Sequence, residues 1–250
     1  MTIHPPHSAR PPRPPGLNWP TLHRGRLIRR YKRFLADVVL DTGEAVCAHC
    51  PNSGRMTGCA EPGRRVYLSR HDSPKRKLKY TWEMIDMPGS LVGVNTLLPN
   101  RLVAAAVRSD RIPALAGYHD VRGEVRTSPH TRLDLLLAAP QRRRCYIEIK
   151  NCTLVESGVA KFPDAPTTRG VKHLEALIRL SGDGHRCGIF FLIQRMDARS
   201  FSPASHIDPA YTAALRKAAD HGVEIFAYDT VIDLQRISLG KPVPVRLTAD

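Results

Sequence analysis

Acidic residues are scarce in this chain of 250: 23 Asp+Glu stand against 38 Lys+Arg, a formal net charge of +15 at pH 7. Cysteine is sparse too, six in all, which excludes a small disulfide-stapled scaffold. Long apolar runs are missing, since a stretch such as 188–193 falls far short of the roughly 20 apolar residues a bilayer-spanning helix needs. The start, Met-Thr-Ile-His-Pro-Pro, lacks the apolar segment of a secretory signal. What is present, 42% hydrophobic and 24% charged residues, excludes a wholly disordered chain. The expectation is a soluble, cytoplasmic, globular protein with reduced thiols, long enough for two domains. Excess positive charge attracts polyanions, with nucleic acid ahead of a membrane surface because no basic amphipathic helix is evident.

Seven of the first twenty residues are proline, a composition suited to an extended, disordered tail over 1–20. Over 21–98 the pattern is β-like, with apolar runs at 27–40, 45–50, 65–69, 80–86 and 91–96. Turn-forming separators such as Asp41-Thr42-Gly43, Glu61-Pro62-Gly63 and Pro88-Gly89 divide them. Five short strands in under eighty residues suggest a five-stranded oligonucleotide-binding (OB) barrel. Over 99–250 helical periodicity at 100–107 and 169–181 alternates with strand-like segments at 121–127, 132–138, 144–150, 187–193 and 223–228. Asp208-Pro209 caps a third helix. That alternation predicts an α/β domain with a mixed sheet.

The most informative stretch runs from Glu124 to Lys150. Two hairpins centred on Pro129 and Gln141 would set Glu124 opposite Asp134, and Asp134 opposite Glu148. Facing side chains lie ~4.5–5.5 Å apart at Cβ, and Lys150, two residues past Glu148, shares their face. Leu133, Leu135, Leu137, Cys145, Ile147 and Ile149 would take the other, core-facing side. Carboxylates so close repel unless a cation joins them, and hard oxygen ligands suit Mg2+ or Mn2+. The ammonium of Lys150 would position a nucleophile or offset phosphate charge. The bland alternative is an edge strand on which these acids pair with Lys150 and nearby arginines.

Other clusters have two readings each. Cys47, His49, Cys50 and Cys59 could be drawn as a zinc site, but their crowded spacing favours buried thiols. The loop from Asn52 to Gly58, around Arg55, either cradles a phosphate on its amides or needs its glycines for a tight turn. Basic residues interleave with aromatics at Arg30, Lys32 and Arg33 beside Tyr31 and Phe34, and at Lys75, Arg76 and Lys77 ahead of Tyr80 and Trp82. Such clusters bind strands through charge and stacking, or form a solvated face over a core containing Phe34 and Trp82.

Several long motifs carry a resemblance. Arg30-Tyr31-Lys32-Arg33-Phe34-Leu35-Ala36-Asp37-Val38, His49-Cys50-Pro51-Asn52-Ser53-Gly54-Arg55-Met56-Thr57-Gly58-Cys59, Arg132-Leu133-Asp134, Tyr146-Ile147-Glu148-Ile149-Lys150 and Arg169-Gly170-Val171-Lys172-His173-Leu174 closely resemble the sugar fermentation stimulation protein (SfsA) family, over 22–245. The resemblance implies a DNA-binding protein with an OB barrel followed by a PD-(D/E)XK, restriction-endonuclease-like domain. It makes Asp134 and Glu148 the metal-binding acids, Lys150 the motif lysine and Glu124 an accessory acid. It also tilts Asn52 and Arg55 toward a functional loop, and Lys172 and His173 toward phosphate contacts. The resulting expectation is Mg2+-dependent phosphodiester hydrolysis, against the rival of a non-catalytic DNA-binding regulator.

Overall fold

The structure is a computed structural model that describes residues 16–129 and 131–248. Most of the expected proline-rich tail, 1–15, lies outside the described residues; its end does not behave as a tail. Residues Gly16–Asn18 form strand β1. Trp19 follows, its indole Nε1 donating to the Asp233 carbonyl at 2.8 Å, while Leu17 and Trp19 pack against the core of the C-terminal domain. Two apolar side chains within three residues outweigh the solvation that the neighbouring prolines favour.

The barrel consists of β2 (Leu22–Tyr31), β3 (Leu35–Leu40), β4 (Ala45–His49), β5 (Arg65–Arg70) and β6 (Tyr80–Met87). Antiparallel pairing gives the order β4-β3-β2-β5-β6, and parallel contacts Ala48↔Tyr80 and His49↔Thr81 close the ring. Strand β7 (Ser90–Gly93) extends β6 outside that ring. The barrel therefore has five strands as expected, with different membership: the run 27–40 is two strands joined at Lys32-Arg33-Phe34. Lys32 and Arg33 both have positive φ, 47° and 63°, which is unusual for non-glycine residues and hides the turn from sequence reading. Alternation fills the barrel, with Ala36, Val38 and Leu40 inward beside Leu27, Leu68 and Trp82. Each large side chain so buried contributes roughly 1.5–3 kcal/mol. Phe34, expected in the core with Trp82, is instead 47% exposed because it sits at the hairpin tip.

After helix α1 (Pro99–Arg108) come β8 (Asp120–Ser128), β9 (Thr131–Ala138) and β10 (Cys145–Cys152). Short strands β11 (Leu154–Glu156) and β12 (Val159–Phe162) precede helix α2 (Thr168–Gly182) and β13 (Arg186–Ile193). The chain ends with β14 (Ser200–Pro203), α3 (Pro209–Asp220), β15 (Val223–Ile232) and β16 (Arg236–Pro242). The main sheet has the order β1-β16-β15-β13-β10-β9-β8, with β10, β13 and β15 mutually parallel and the other pairings antiparallel. The first strand among the described residues thus pairs at the edge of the C-terminal sheet, which the division at 21–98 and 99–250 does not anticipate.

Both faces of this sheet are covered. Helix α1 lies over Leu135, Leu137, Cys145, Ile147 and Ile149. Helices α2 and α3 lie over Leu136, Tyr146, Ile189 and Phe191. The face carrying the acids is therefore not open along its length, as the hairpin reading implied. The barrel is keyed to this domain: Tyr67 and Met84 join the core under α1, Gly93 N–H donates to the Gln194 carbonyl at 2.9 Å, and Met56 N–H donates to Asp164 Oδ2 at 2.9 Å. A Cβ on Gly93 would lie 2.6 Å from Gln194 Oε1, so any larger residue there would displace the Gln194 amide.

Candidate active site

The acids sit where β9 and β10 part. Pairing between these strands runs from Cys145↔Leu137 to Ile147↔Leu135 and stops one step before Asp134 and Glu148. On the other side Gly123↔Leu135 and Val125↔Leu133 bracket Glu124 and Asp134. This is the register that hairpins centred on Pro129 and Gln141 require. Strict alternation fails here, because Leu135 packs under α1 while Leu133 packs under α2. Glu124 has a left-handed φ of 55°, a local strain at the same level of the sheet.

Where the ladder ends, side chains complete it. Asp134 Oδ2 accepts from the Ile149 N–H at 2.7 Å, and Oδ1 accepts from Asn100 Nδ2 at 2.8 Å. Glu148 is 2% exposed; its Oε1 accepts from Lys150 Nζ at 2.5 Å and from His173 Nδ1. Glu148 Oε2 is buried with no hydrogen-bond partner. His173 enters from α2, whose first turn is capped by Thr167 Oγ1 accepting from Gly170 N–H at 3.0 Å. Arg169 Nε donates to His173 Nε2 at 3.4 Å, and Nδ1 faces both the Glu148 carboxylate and Lys150 Nζ at 3.3 Å; the proton is assigned to Nδ1, donating to Glu148, because Nε2 is the accepting nitrogen.

Electrostatics divide the two acids. Burial, then the charge of Glu148, push the Asp134 carboxyl up to about 6 against the donors Ile149 and Asn100. Burial also raises Glu148, but the His173 hydrogen bond and the Lys150 ammonium outweigh it, leaving that carboxyl below its ordinary value. Such a split is a mark of functional carboxylate pairs.

One depression of about 370 Å3 reaches Glu124 and Asp134 from the α1 side, and three others form a connected set at and beside the acids. The central one, about 260 Å3, is lined by Asn100, Glu124, Asp134, Glu148, Lys150 and His173 among others. A second, about 750 Å3, lies between the β8–β9 hairpin and α2 and carries Lys172. A third, about 660 Å3, lies between the domains and carries Arg30, Arg33, Asn52 and Arg55. Lys32 is exposed at the hairpin tip, and Lys75, Arg76 and Lys77 occupy the β5–β6 loop; none of these four lines the three depressions.

Several expected contacts have other work. Arg30 Nη2 donates to the carbonyls of Asn52 and Gly54, both at 2.8 Å, so its guanidinium builds the 52–55 loop. Asn52 is buried, its Oδ1 accepting from Gly54 N–H at 2.9 Å. His173, expected as a phosphate contact, is 7% exposed and spends its ring on Glu148. Glu124 lies within 3.5 Å of Arg132 with its side chain 63% exposed. Cys50 and Cys59 are buried against Met56, and Cys47 sits 3.6 Å from the Tyr31 hydroxyl. Among the described residues no three His, Cys, Asp or Glu side chains form a metal-binding group: neither Cys47, His49, Cys50 and Cys59 nor the acids do so, Asp134 and Glu148 together offering two carboxylates.

Sequence reasoning did not single out Asn100, Arg126, Arg132, Arg169 or Arg179 as site residues, although they line these depressions. Helical spacing offered one signal, since Arg169 precedes His173 by one turn and shares its face.

A closed barrel of the OB type joined to a restriction-endonuclease-like α/β domain, with two acids and a lysine at the end of paired central strands, defines the class of protein. Residues 28–94 match the family described as the SfsA N-terminal OB domain, and residues 97–236 match the sugar fermentation stimulation protein RE domain. The chain belongs to the sugar fermentation stimulation protein family. It is 51% identical over 228 residues to a sugar fermentation stimulation protein homolog of Pelobacter propionicus, covering 91% of this chain and 99% of that protein. The homolog of Geobacter sulfurreducens is 50% identical over 224 residues, covering 90% and 96%. Among solved structures, Pyrococcus furiosus SfsA in complex with Ca2+ superposes with a TM-score of 0.85 at 26% identity, covering 92% of this chain and 98% of that one. Among the described residues no helix is long and apolar enough to cross a membrane.

Proposed function

We propose that this protein binds DNA and hydrolyses its phosphodiester bonds with the aid of Mg2+ or Mn2+. The observation that carries the reading is the orphaned Glu148 Oε2, buried beside an Asp134 carboxyl that burial and Glu148 push toward protonation. Two hard oxygen donors in that state fit a divalent cation, whose remaining positions would go to water or substrate oxygens. Asp134 and Glu148 would hold it; once bound, it would offset their charge and polarise a phosphate oxygen.

The chain's own residues supply the rest. His173 fixes Glu148 through Oε1, and Arg169 in turn fixes the imidazole, a supporting shell of the kind that orients metal-binding side chains. Lys150 Nζ gives one proton to Glu148; an ammonium has three, so two remain to orient a water and to meet negative charge developing on phosphorus-bound oxygen. Glu124, exposed on its strained segment and beside Arg132, assists as a carboxylate at the rim. The positive charge of the neighbouring depressions would draw in the phosphate backbone.

The test compares parent protein with Asp134→Ala and Lys150→Ala on single- and double-stranded DNA with Mg2+ or Mn2+. Cleavage by the parent and loss in both variants is expected. Equal products from all three would assign the cutting to a contaminant, and a parent that binds DNA but leaves it intact would be a non-catalytic regulator.

A further inference from the structure

The depressions around the acids are connected. The central one shares Glu124, Arg132, Arg169 and His173 with the depression beside α2. It shares Thr96 and Asn151 with the depression between the domains. The acids therefore lie partway along a continuous surface rather than at the bottom of a blind pocket.

Both arms of that surface are basic, and their charge is unspent. On the α2 side stand Arg126, Lys172 and Arg179, and on the barrel side Arg33, Arg55 and Lys161. Among the described residues none of these six has a carboxylate within ion-pair distance. The carboxylates that share the arms are few: Glu124 is paired with Arg132, Asp164 accepts from Met56 N–H, and Glu175 stands on the exposed face of α2. A site that grips the end of a strand needs cations on one side and an obstruction on the other. Here cations flank the acids on two sides, contributed by two different domains.

We propose that the two arms form one groove through which a nucleic-acid strand passes on both sides of the acids, so that the bond presented for cleavage is internal and no strand end is required. This rests on the hydrolytic reading above. Each cut adds one water across a P–O bond and leaves one phosphate monoester and one hydroxyl end. A closed circle is thereby converted first to a unit-length linear strand, with no nucleotide released.

The experiment uses a closed single-stranded DNA circle and the same sequence in linear form, each with the full chain and Mg2+ or Mn2+. Conversion of the circle to unit length at a rate within about threefold of the linear strand is expected. Degradation of the linear strand with the circle intact would overturn the through-running groove while leaving hydrolysis standing. If neither is cut, hydrolysis itself fails and the groove is judged by binding. Affinity for a long single strand is then measured against salt for two triple variants, Arg126→Ala/Lys172→Ala/Arg179→Ala and Arg33→Ala/Arg55→Ala/Lys161→Ala. At about 0.7 in slope per neutralised phosphate, each triple should flatten the log–log plot by about 2. Flattening in only one of them would place the strand on one side of the acids and sink the proposal.

Discussion

Replacing Asp134 by Asn should stabilise the metal-free protein. In the fold the carboxyl is moved from its ordinary 3.8 to about 6, first by burial and then by Glu148. The charged form is therefore disfavoured by about 3 kcal/mol at pH 7.5, at 1.36 kcal/mol for each tenfold change in proton affinity. The amide is nearly isosteric. Its oxygen can keep the Ile149 N–H, and its NH2 can face Asn100 once the Asn100 amide turns to present oxygen. For a chain of this size each kcal/mol is worth about 2–4 °C, so Asp134→Asn should melt roughly 6–12 °C above the parent in EDTA. The sign with pH follows from the raised value. The native state binds the proton more tightly than the unfolded chain, so the penalty is complete above about 6, shrinks as pH falls toward 3.8, and is absent once both states are protonated. Divalent cation should act oppositely on the two proteins. At a hundred times its dissociation constant it stabilises the parent by about 2.7 kcal/mol, while the variant, having lost a ligand, gains far less. Thermal melts at pH 7.5 and pH 4, with EDTA and with Mg2+ or Ca2+, make the comparison. A variant that melts below the parent in EDTA at pH 7.5, or a parent indifferent to divalent cations, would refute the reasoning.

Other expectations follow from burial. Of the six free cysteines only Cys47 is partly exposed, and burial pushes the thiols of Cys59, Cys145, Cys152 and Cys187 up to about 12. One thiol should react with a disulfide reagent in the native state and all six after denaturation; two or more fast native thiols would contradict the packing. Deleting 1–20 removes β1 and the Trp19 indole bond and bares the edge of β16, so urea melts should show a loss of about 2–4 kcal/mol, whereas a solvated tail would leave the midpoint unchanged. Asp164→Ala removes the acceptor for Met56 N–H between the domains and should cost about 1–3 kcal/mol in the same assay; no loss would mean the clamp is replaced by water. Phe34→Ala, at an exposed hairpin tip, should change stability by less than about 0.5 kcal/mol, and a larger loss would return that ring to the core.

The parts legible in the sequence were those set by local chemistry. Hairpin centres at Pro129 and Gln141 fixed the register because turn residues and chain symmetry leave few alternatives, and the observed pairs agree with them except at the hairpin end, where a shift pairs Ser128 with Thr131. Helix α2 declared itself through its helical periodicity and α3 through its cap Asp208. Illegible parts depended on tertiary partners. The turn at Lys32-Arg33 contains no glycine or asparagine, and its left-handed backbone is held by the β2–β3 pairing around it. The strands β11, β12 and β14 have three to four residues each, too few for a period to emerge. Strand β1 exists only because β16, with 217 residues (19–235) between them, offers it an edge.

The acids illustrate why a motif of this kind cannot be judged from spacing alone. An uninterrupted sheet would have spent the Ile149 N–H on a β9 carbonyl; instead the ladder stops, and the Asp134 carboxylate takes the N–H. The same break sends Leu133 and Leu135 to opposite cores and lets α2 bring His173 onto Glu148. On an ordinary edge strand the acids would be solvated, individually paired and free of any split in proton affinity. What separates the two cases is desolvation, which comes from helices more than twenty residues away in sequence and leaves Glu148 Oε2 without a partner. A defect in the β ladder is thus the structural condition for the proposed chemistry, since only there do a buried Glu148 and a half-buried Asp134 line a common open depression.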